Sequence, residues 1–222
     1  MRKALDLSLY LVTDRHLCRD RNLIDIIRQT VSKGVSLVQL REKHCSTREF
    51  VSLGREVRDL LKKYNIPLFI NDRFDVALAI EAHGVHLGQD DMRVEDARRI
   101  VGKQMYLGLT IDSEEQVREA EALDVDYLGV GPIFPTQTKA DNCPPWGLEG
   151  LKKIRSISRH PLVAIGGINS ENASGAIQAG ASGVAVVSAI CAAQSPGESA
   201  ASLLQAVRSA AKKDQGLRNA IP

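Results

Sequence analysis

"VSLVQLREKHCSTREFVSLGREVRDLLKKYNIPLFINDR", residues 35–73, decides the fold. Its two ends, Val35–Leu40 and Leu68–Asn71, are short runs rich in Val, Ile and Leu. Runs of that kind suit strands buried on both faces of a parallel sheet. Between them, Ser46-x-x-Glu49 has the spacing of a capping box, in which a hydroxyl and a carboxylate satisfy each other's backbone N–H groups. Phe50, Leu53, Val57 and Leu60 then recur on one side at helical spacing. Strand, capped helix, strand is the unit from which parallel α/β folds are assembled.

The same alternation extends in both directions. Further strands are expected at Leu9–Thr13, Gly84–Leu87, Met105–Leu109, Tyr127–Val130, Leu162–Ile165 and Gly183–Val187, making eight. Leu23, Ile26, Ile27 and Val31 mark a helix after the first. Ser113-x-x-Gln116 opens another, and helices are expected near Ala97–Val101, Leu148–Ile157, Asn172–Ala179 and Leu203–Ala211. Gly34 and Gly180 stand where helices should end. Eight β–α units in a chain of 222 residues predict a (β/α)8 TIM barrel, with an open doubly wound sheet as the alternative. No linker or compositional break divides the chain, so residues 1–222 are read as one domain, with a frayed tail from about residue 213.

Composition narrows the function. Lys and Arg number 29 against 27 Asp and Glu, giving a net charge of +2 with no block of one sign. That argues against a nucleic-acid binder, which would show a basic stripe. Aromatic residues are 4%, too few for a base-stacking platform. The longest apolar run, Gly183 to Ala193, is too short to span a bilayer. The opening "MRKALDLSLYLVTDR" is basic then apolar, but Asp6 interrupts it and no small-residue cleavage site follows, against a signal peptide. Cys18, Cys45, Cys143 and Cys191 form no CxxC pair, so reduced thiols and a cytoplasmic enzyme are expected.

Barrel active sites form at the C-terminal ends of the strands. Seven of the eight expected ends carry glycine, hydroxyl, amide or charge: Gln39-Leu40-Arg41-Glu42-Lys43, Asn71-Asp72-Arg73, Gly88-Gln-Asp-Asp91, Thr110, the long stretch "GPIFPTQTKADNCPPWG" (131–147), Gly166-Gly167 and Ser188. Singly, each has a structural explanation. Asn-Asp and Gly-Gln-Asp-Asp make good turns and caps, His86 is read as a satisfied interior histidine, and Trp146 as a packing anchor. Together on one rim they point to a site. Glycines and backbone N–H groups after strands 7 and 8 suit a phosphate. Arg41, Lys43 and Lys139 are candidate cations for a second anion, and Asp72 with Asp91 could hold Mg2+, a hard cation that favours carboxylates, waters and phosphate. One phosphate and one magnesium-bridged pyrophosphate imply two phosphorylated small-molecule substrates. No Ser–His type pair suggests covalent catalysis.

The motifs "QLREK", "NDR", "VHLGQDD", "GPIFPTQTK", "AIGGI" and "VVSAI", in this order between about Leu9 and Ile190, resemble the thiamine-phosphate synthase family. The Thr-x-Thr-Lys loop is the most specific of them. The resemblance implies Mg2+-dependent transfer of a pyrimidinylmethyl group from its pyrophosphate ester to the nitrogen of a thiazole phosphate, releasing pyrophosphate. It implies pyrimidine pyrophosphate contacts at Gln39, Leu40, Arg41, Glu42, Lys43, Asn71, Thr110 and Lys139. It implies thiazole phosphate contacts at Thr136, Gln137, Thr138, Gly167, Val187 and Ser188, metal ligands at Asp72 and Asp91, and catalytic cations at Lys139, Lys43 and Arg41. Thr110 and Asp112 stand where the family usually carries a serine and a histidine. A thiazole tautomerase-like barrel, a phosphosugar isomerase or lyase and a non-catalytic binder of thiamine precursors are the rival readings. The first of these would not need the acidic and basic residues together. Monomer and homo-oligomer both stay open.

Overall fold

The computed structural model describes residues 3–138 and 144–219, with side chains to residue 213. Eight parallel strands close into a barrel in sequential order: β1 (Leu9–Val12), β2 (Leu37–Leu40), β3 (Leu68–Asn71), β4 (Gly84–Leu87), β5 (Tyr106–Ile111), β6 (Tyr127–Val130), β7 (Leu162–Ile165) and β8 (Gly183–Val186). The ring is shut by β1 against β8, with Tyr10 opposite Ala185. Around it lie α1 (Leu23–Val31), α2 (Thr47–Lys62), α3 (Phe74–Ala79), α4 (Val94–Val101), α5 (Glu114–Ala120), α6 (Gly147–Ile157), α7 (Ala173–Gln178), α8 (Ser188–Cys191) and α9 (Pro196–Asn219). Closure removes every exposed sheet edge, and it excludes the open-sheet alternative.

Local chemistry explains the helix starts. Glu49 N–H donates to Ser46 Oγ at 3.3 Å while Glu49 Oε2 accepts from Ser46 N–H at 2.9 Å, the reciprocal box expected for α2. Ser113 and Gln116 do the same for α5. Losing such a cap costs about 1 kcal/mol. Phe50, Val57, Leu60 and Leu61 bury one face of α2, and each contributes roughly 1.5–3 kcal/mol of transfer free energy. Gly34 and Gly180 both adopt positive φ just after α1 and α7.

The boundaries differ from expectation in a few places. β5 runs to Ile111, so Thr110 lies within the strand rather than after it. One short helix, α3, was not foreseen: six residues hold too few turns to show a period. The backbone of α9 is helical to Asn219, across the tail expected to fray.

Side chains divide into two clusters. The larger joins the outward faces of the strands to the helices and includes Leu9, Leu11, Val38, Leu40, Ile70, Val85, Leu107 and Leu128. The smaller fills the barrel: Leu7, Tyr10, Val12, Leu37, Phe69, Tyr127, Val163 and Ala185. Because successive residues on a strand face opposite sides, Gln39, Asn71, His86 and Thr110 share the inward face with this second cluster, nearer its open end.

Candidate active site

The inner wall of the cleft carries a hydrogen-bond chain across the barrel, buried at Gln39, Tyr10 and Tyr127 and part-buried at His86 and Thr110. Gln39 Nε2 donates to Tyr10 Oη at 2.6 Å, and Tyr10 Oη lies 2.9 Å from Tyr127 Oη. Tyr127 Oη is 2.8 Å from His86 Nδ1, and His86 Nε2 is 2.8 Å from Thr110 Oγ1. The Thr110 carbonyl accepts from Gln89 Nε2 at 2.5 Å. Burial raises the pKa of both phenols, so both stay protonated. The chain exists because β5 and β6 carry glycine where a side chain would collide with it. A Cβ on Gly108 would stand 2.2 Å from Tyr127 Cζ and 2.6 Å from His86 Nδ1. Tyr127 also stacks on His86, with centroids 5.5 Å apart.

The rim over β2, β3 and β4 is charged. Lys43 Nζ pairs with Asp72 Oδ2, and the lysine is about half exposed. Asp72 adopts a left-handed φ of 60°, which Asp tolerates better than most residues, and its N–H donates to His86 O at 2.9 Å. Asp91 Oδ2 accepts from Gly88 N–H at 2.7 Å. Burial raises the pKa of the Asp91 carboxyl, and the neighbouring Asp72 carboxylate raises it further. An Asp91 carboxyl whose charge is disfavoured beside Asp72 is a natural seat for a divalent cation, which would relieve that cost. Among the described residues no group of three or more His, Cys, Asp or Glu could hold a metal. Mg2+ does not require one, since one or two carboxylates plus water and substrate phosphate complete its octahedron. The residues present therefore fit the ion.

The third wall comes from β6, β7 and β8. Ile133 N–H donates to Ile165 O at 2.9 Å and Phe134 N–H to Gly166 O at 3.1 Å, stitching the start of the β6 loop to β7. Gly167 has φ 67°, and a Cβ there would meet Phe134 Cβ and Pro135 O at 2.7 Å, so only glycine allows this approach. Thr138 N–H donates to Thr136 Oγ1 at 3.2 Å. At the other end, Trp146 N–H donates to Pro132 O, and the half-buried indole packs on the core as the expected anchor. Val187 and Ser188 follow β8, Ser188 opening α8, whose first N–H groups have no partner within the helix.

Residues 9–190 match the family described as thiamine monophosphate synthase. The chain belongs to that family. It is 51% identical over 201 residues to the thiamine-phosphate synthase of Albidiferax ferrireducens, covering 90% of this chain and 92% of that one. It is 50% identical over 185 residues to the thiamine-phosphate synthase of Syntrophomonas wolfei, covering 83% and 88%. Among solved structures, thiamine phosphate pyrophosphorylase from Pyrococcus furiosus superposes with a TM-score of 0.85 at 38% identity, covering 92% of this chain and 97% of that one.

Of the residues that the thiamine monophosphate synthase pattern singles out, Gln39, Arg41, Asn71, Thr110, Thr136, Thr138, Gly167, Val187 and Ser188 line one cleft. Lys43, Asp72 and Asp91 do not line it and form the charged rim beside it. The Leu40 side chain is fully buried in the outer, helix-facing core, which leaves the rim only its backbone. The Glu42 side chain turns away to Arg15, Oε2 accepting from Nε at 2.8 Å, and its Oε1 is buried without a hydrogen-bond partner among the described residues. Gln137 is exposed at the loop surface. Lys139 lies outside the described residues. Sequence reading missed Asp14, Tyr10 and Tyr127 as lining residues. Asp14 follows β1 directly, and "VTD" was the one strand end left out. Its Oδ1 accepts from His16 N–H at 2.9 Å, a local turn. Asp112 takes part in the lining with Thr110.

Proposed function

We propose that this cleft performs thiamine-phosphate synthesis with the pyrimidine held at Gln39, Asn71 and Thr110, its pyrophosphate at the Arg41–Lys43 rim, and the thiazole phosphate at Gly167, Val187 and Ser188. The single observation that carries this division of labour is the convergence of those residues on one cleft, with the Lys43–Asp72–Asp91 rim on one side and the β7–β8 glycine and N–H wall on the other. Mg2+ is part of the proposal, with Asp72 and Asp91 as its protein ligands. When bound, the ion would neutralise charge on the departing pyrophosphate.

The reaction needs no proton transfer at the reacting atoms. The bond between the methylene carbon and the pyrophosphate oxygen breaks, its electron pair leaving with pyrophosphate. The thiazole nitrogen lone pair forms the new C–N bond. The electron-rich aminopyrimidine spreads the positive charge that develops on its methylene carbon. What the protein must supply is stabilisation of negative charge on the leaving oxygens, and Arg41, Lys43 and Lys139 are assigned that catalytic role. Thr136 and Thr138, with Gln137 at the loop surface, are assigned to the thiazole side. The apolar lower walls, Val12, Val163, Ile165 and Ala185, keep water from capturing the cation.

The test is direct. Mixing the pyrimidine pyrophosphate and thiazole phosphate with Mg2+ should release pyrophosphate and form thiamine phosphate. A protein that binds both compounds without releasing pyrophosphate would be a sensor of thiamine precursors instead. A cytoplasmic location belongs to the same reading, supported by the free thiols Cys18, Cys45 and Cys191. No helix among the described residues is long and apolar enough to cross a membrane.

A further inference from the structure

The chain of hydrogen bonds under the cleft has a direction. Gln39 Nε2 can only donate, so Tyr10 Oη accepts at 2.6 Å and has one proton of its own to give. The side chain is buried, and Tyr127 Oη at 2.9 Å takes that proton. Tyr127 has then accepted, and passes its own proton to His86 Nδ1 at 2.8 Å. A neutral imidazole that accepts at Nδ1 carries its proton on Nε2. That N–H points at Thr110 Oγ1, 2.8 Å away. Thr110 therefore accepts from the protein side, and its own proton is left for the cleft that it lines.

We propose that Gln39, Tyr10, Tyr127 and His86 form a one-way relay that makes Thr110 a hydrogen-bond donor into the cleft, so that position 110 can serve a ring nitrogen of the pyrimidine. Tyr10, Tyr127 and His86 are positioning residues: they act through Thr110. The proposal rests on the assignment of the pyrimidine to this end of the cleft. Raised phenol pKa values keep both tyrosines as neutral links, and the space opened by Gly108 and Gly129 is filled by the relay itself: a Cβ on Gly129 would stand 3.2 Å from His86 Cε1. A relay that ran the other way would require Gln39 to present its carbonyl oxygen to Tyr10, would put the His86 proton on Nδ1, and would leave Thr110 an acceptor.

The tautomer is measurable without substrate. In protein labelled with 15N-histidine, with the His86 signals assigned by their loss in His86→Gln, Nε2 should resonate as a protonated nitrogen and Nδ1 as an unprotonated one. Tyr127→Phe should shift the Nδ1 resonance. The opposite tautomer, or an Nδ1 signal unmoved by Tyr127→Phe, overturns the relay. The kinetic arm uses the same variant. Tyr127→Phe should lower kcat/KM for the pyrimidine pyrophosphate by about five- to thirtyfold and leave KM for the thiazole phosphate within about twofold. A variant that loses thermal stability but keeps both kinetic constants has lost only packing, and would overturn the positioning role. If the wild-type protein proved inactive, the pyrimidine assignment would fail while the tautomer measurement still judged the relay.

Discussion

The two ends of the pyrimidine half of the cleft are held by different physics. The inner end is a hydrogen-bonded chain, buried at Gln39, Tyr10 and Tyr127 and part-buried at His86 and Thr110, whose hydroxyl lines the cleft. The outer end is charged and partly exposed: Lys43 leans on Asp72, and Asp91 has an unfavourable like-charged neighbour. A buried neutral chain has fixed geometry before any ligand arrives and costs nothing to reorganise. A charged rim in which Asp91 stands beside the Lys43–Asp72 pair is open to completion by a cation and an anionic substrate. The inner end is thus suited to choosing the ring, and the outer end to meeting the charge that grows as pyrophosphate leaves.

The largest effects are expected where charge changes during the reaction. Asp72→Asn and Asp91→Asn should each lower turnover about a hundredfold or more while leaving the fold intact, the scale seen when one electrostatic stabiliser is removed from a transition state. Both should also raise the Mg2+ concentration needed for half-maximal rate, and a chelator should abolish activity. Wild-type turnover of both variants at low Mg2+ would remove the metal from this rim. Lys139→Ala should lower kcat more than it raises the thiazole KM, because a cation acting on the leaving group matters most in the transition state. An unchanged kcat with only a raised thiazole KM would move Lys139 to the other half of the cleft.

At the inner end the comparison breaks through volume. Gly108→Ala puts a methyl group against the Tyr127 ring and His86 Nδ1, both held by neighbours that cannot step aside. Overpacking of this kind costs roughly 1–3 kcal/mol of stability. Thermal unfolding should show that loss, and the His86 resonances should move with it. The same alanine tolerated with no change in either would mean that the relay sits loosely.

Legibility from sequence follows the same division between layers. Outward faces of the strands meet helices, and helical spacing announced α1 and α2 while capping-box spacing announced α2 and α5. The inward faces gave no such signal, because a parallel strand buried on both sides reads as one continuous apolar run. Within "YLGV" and "GVHLG", nothing marks Tyr127 and His86 as partners except the one small residue that both flank on the strand between them, Gly108. His86 was read as satisfied, and it is, but its partners were invisible. The rim was legible because turn-forming and charged residues punctuate the strand ends. Leu40 shows the limit of that reading: its neighbours in sequence face the cleft, and the two-residue period of the strand turns its side chain outward.

Thr110 lies where the two halves meet and tests the inner one. Thr110→Ser keeps the hydroxyl and should stay within a few-fold of wild type. Thr110→Val keeps the shape, strands the His86 N–H and leaves a pyrimidine nitrogen unpaired in a dry site. That should cost about 1–3 kcal/mol, roughly five- to a hundredfold in kcat/KM for the pyrimidine pyrophosphate. Valine as active as serine would mean that the ring is held elsewhere.

The smallest effect sharpens the comparison most. Exposed charges are screened by salt, with a Debye length of about 10 Å at 0.1 M and about 3 Å at 1 M, whereas buried neutral hydrogen bonds are not. Lys43 is about half exposed, so its attraction for the pyrophosphate should weaken as salt rises. KM for the pyrimidine pyrophosphate should therefore increase a few-fold between low and high salt at constant free Mg2+. Lys43→Ala should start from a higher KM and show a flatter salt dependence, having lost one of the screened charges. Tyr127→Phe should also start from a poorer kcat/KM, yet keep the wild-type slope, because the interaction it loses carries no net charge. Parallel slopes for wild type and Tyr127→Phe with a shallower one for Lys43→Ala would separate ring recognition from charge recognition within one substrate. A slope changed equally by both substitutions would show that the two ends act as one electrostatic unit, and the distinction between them would fall.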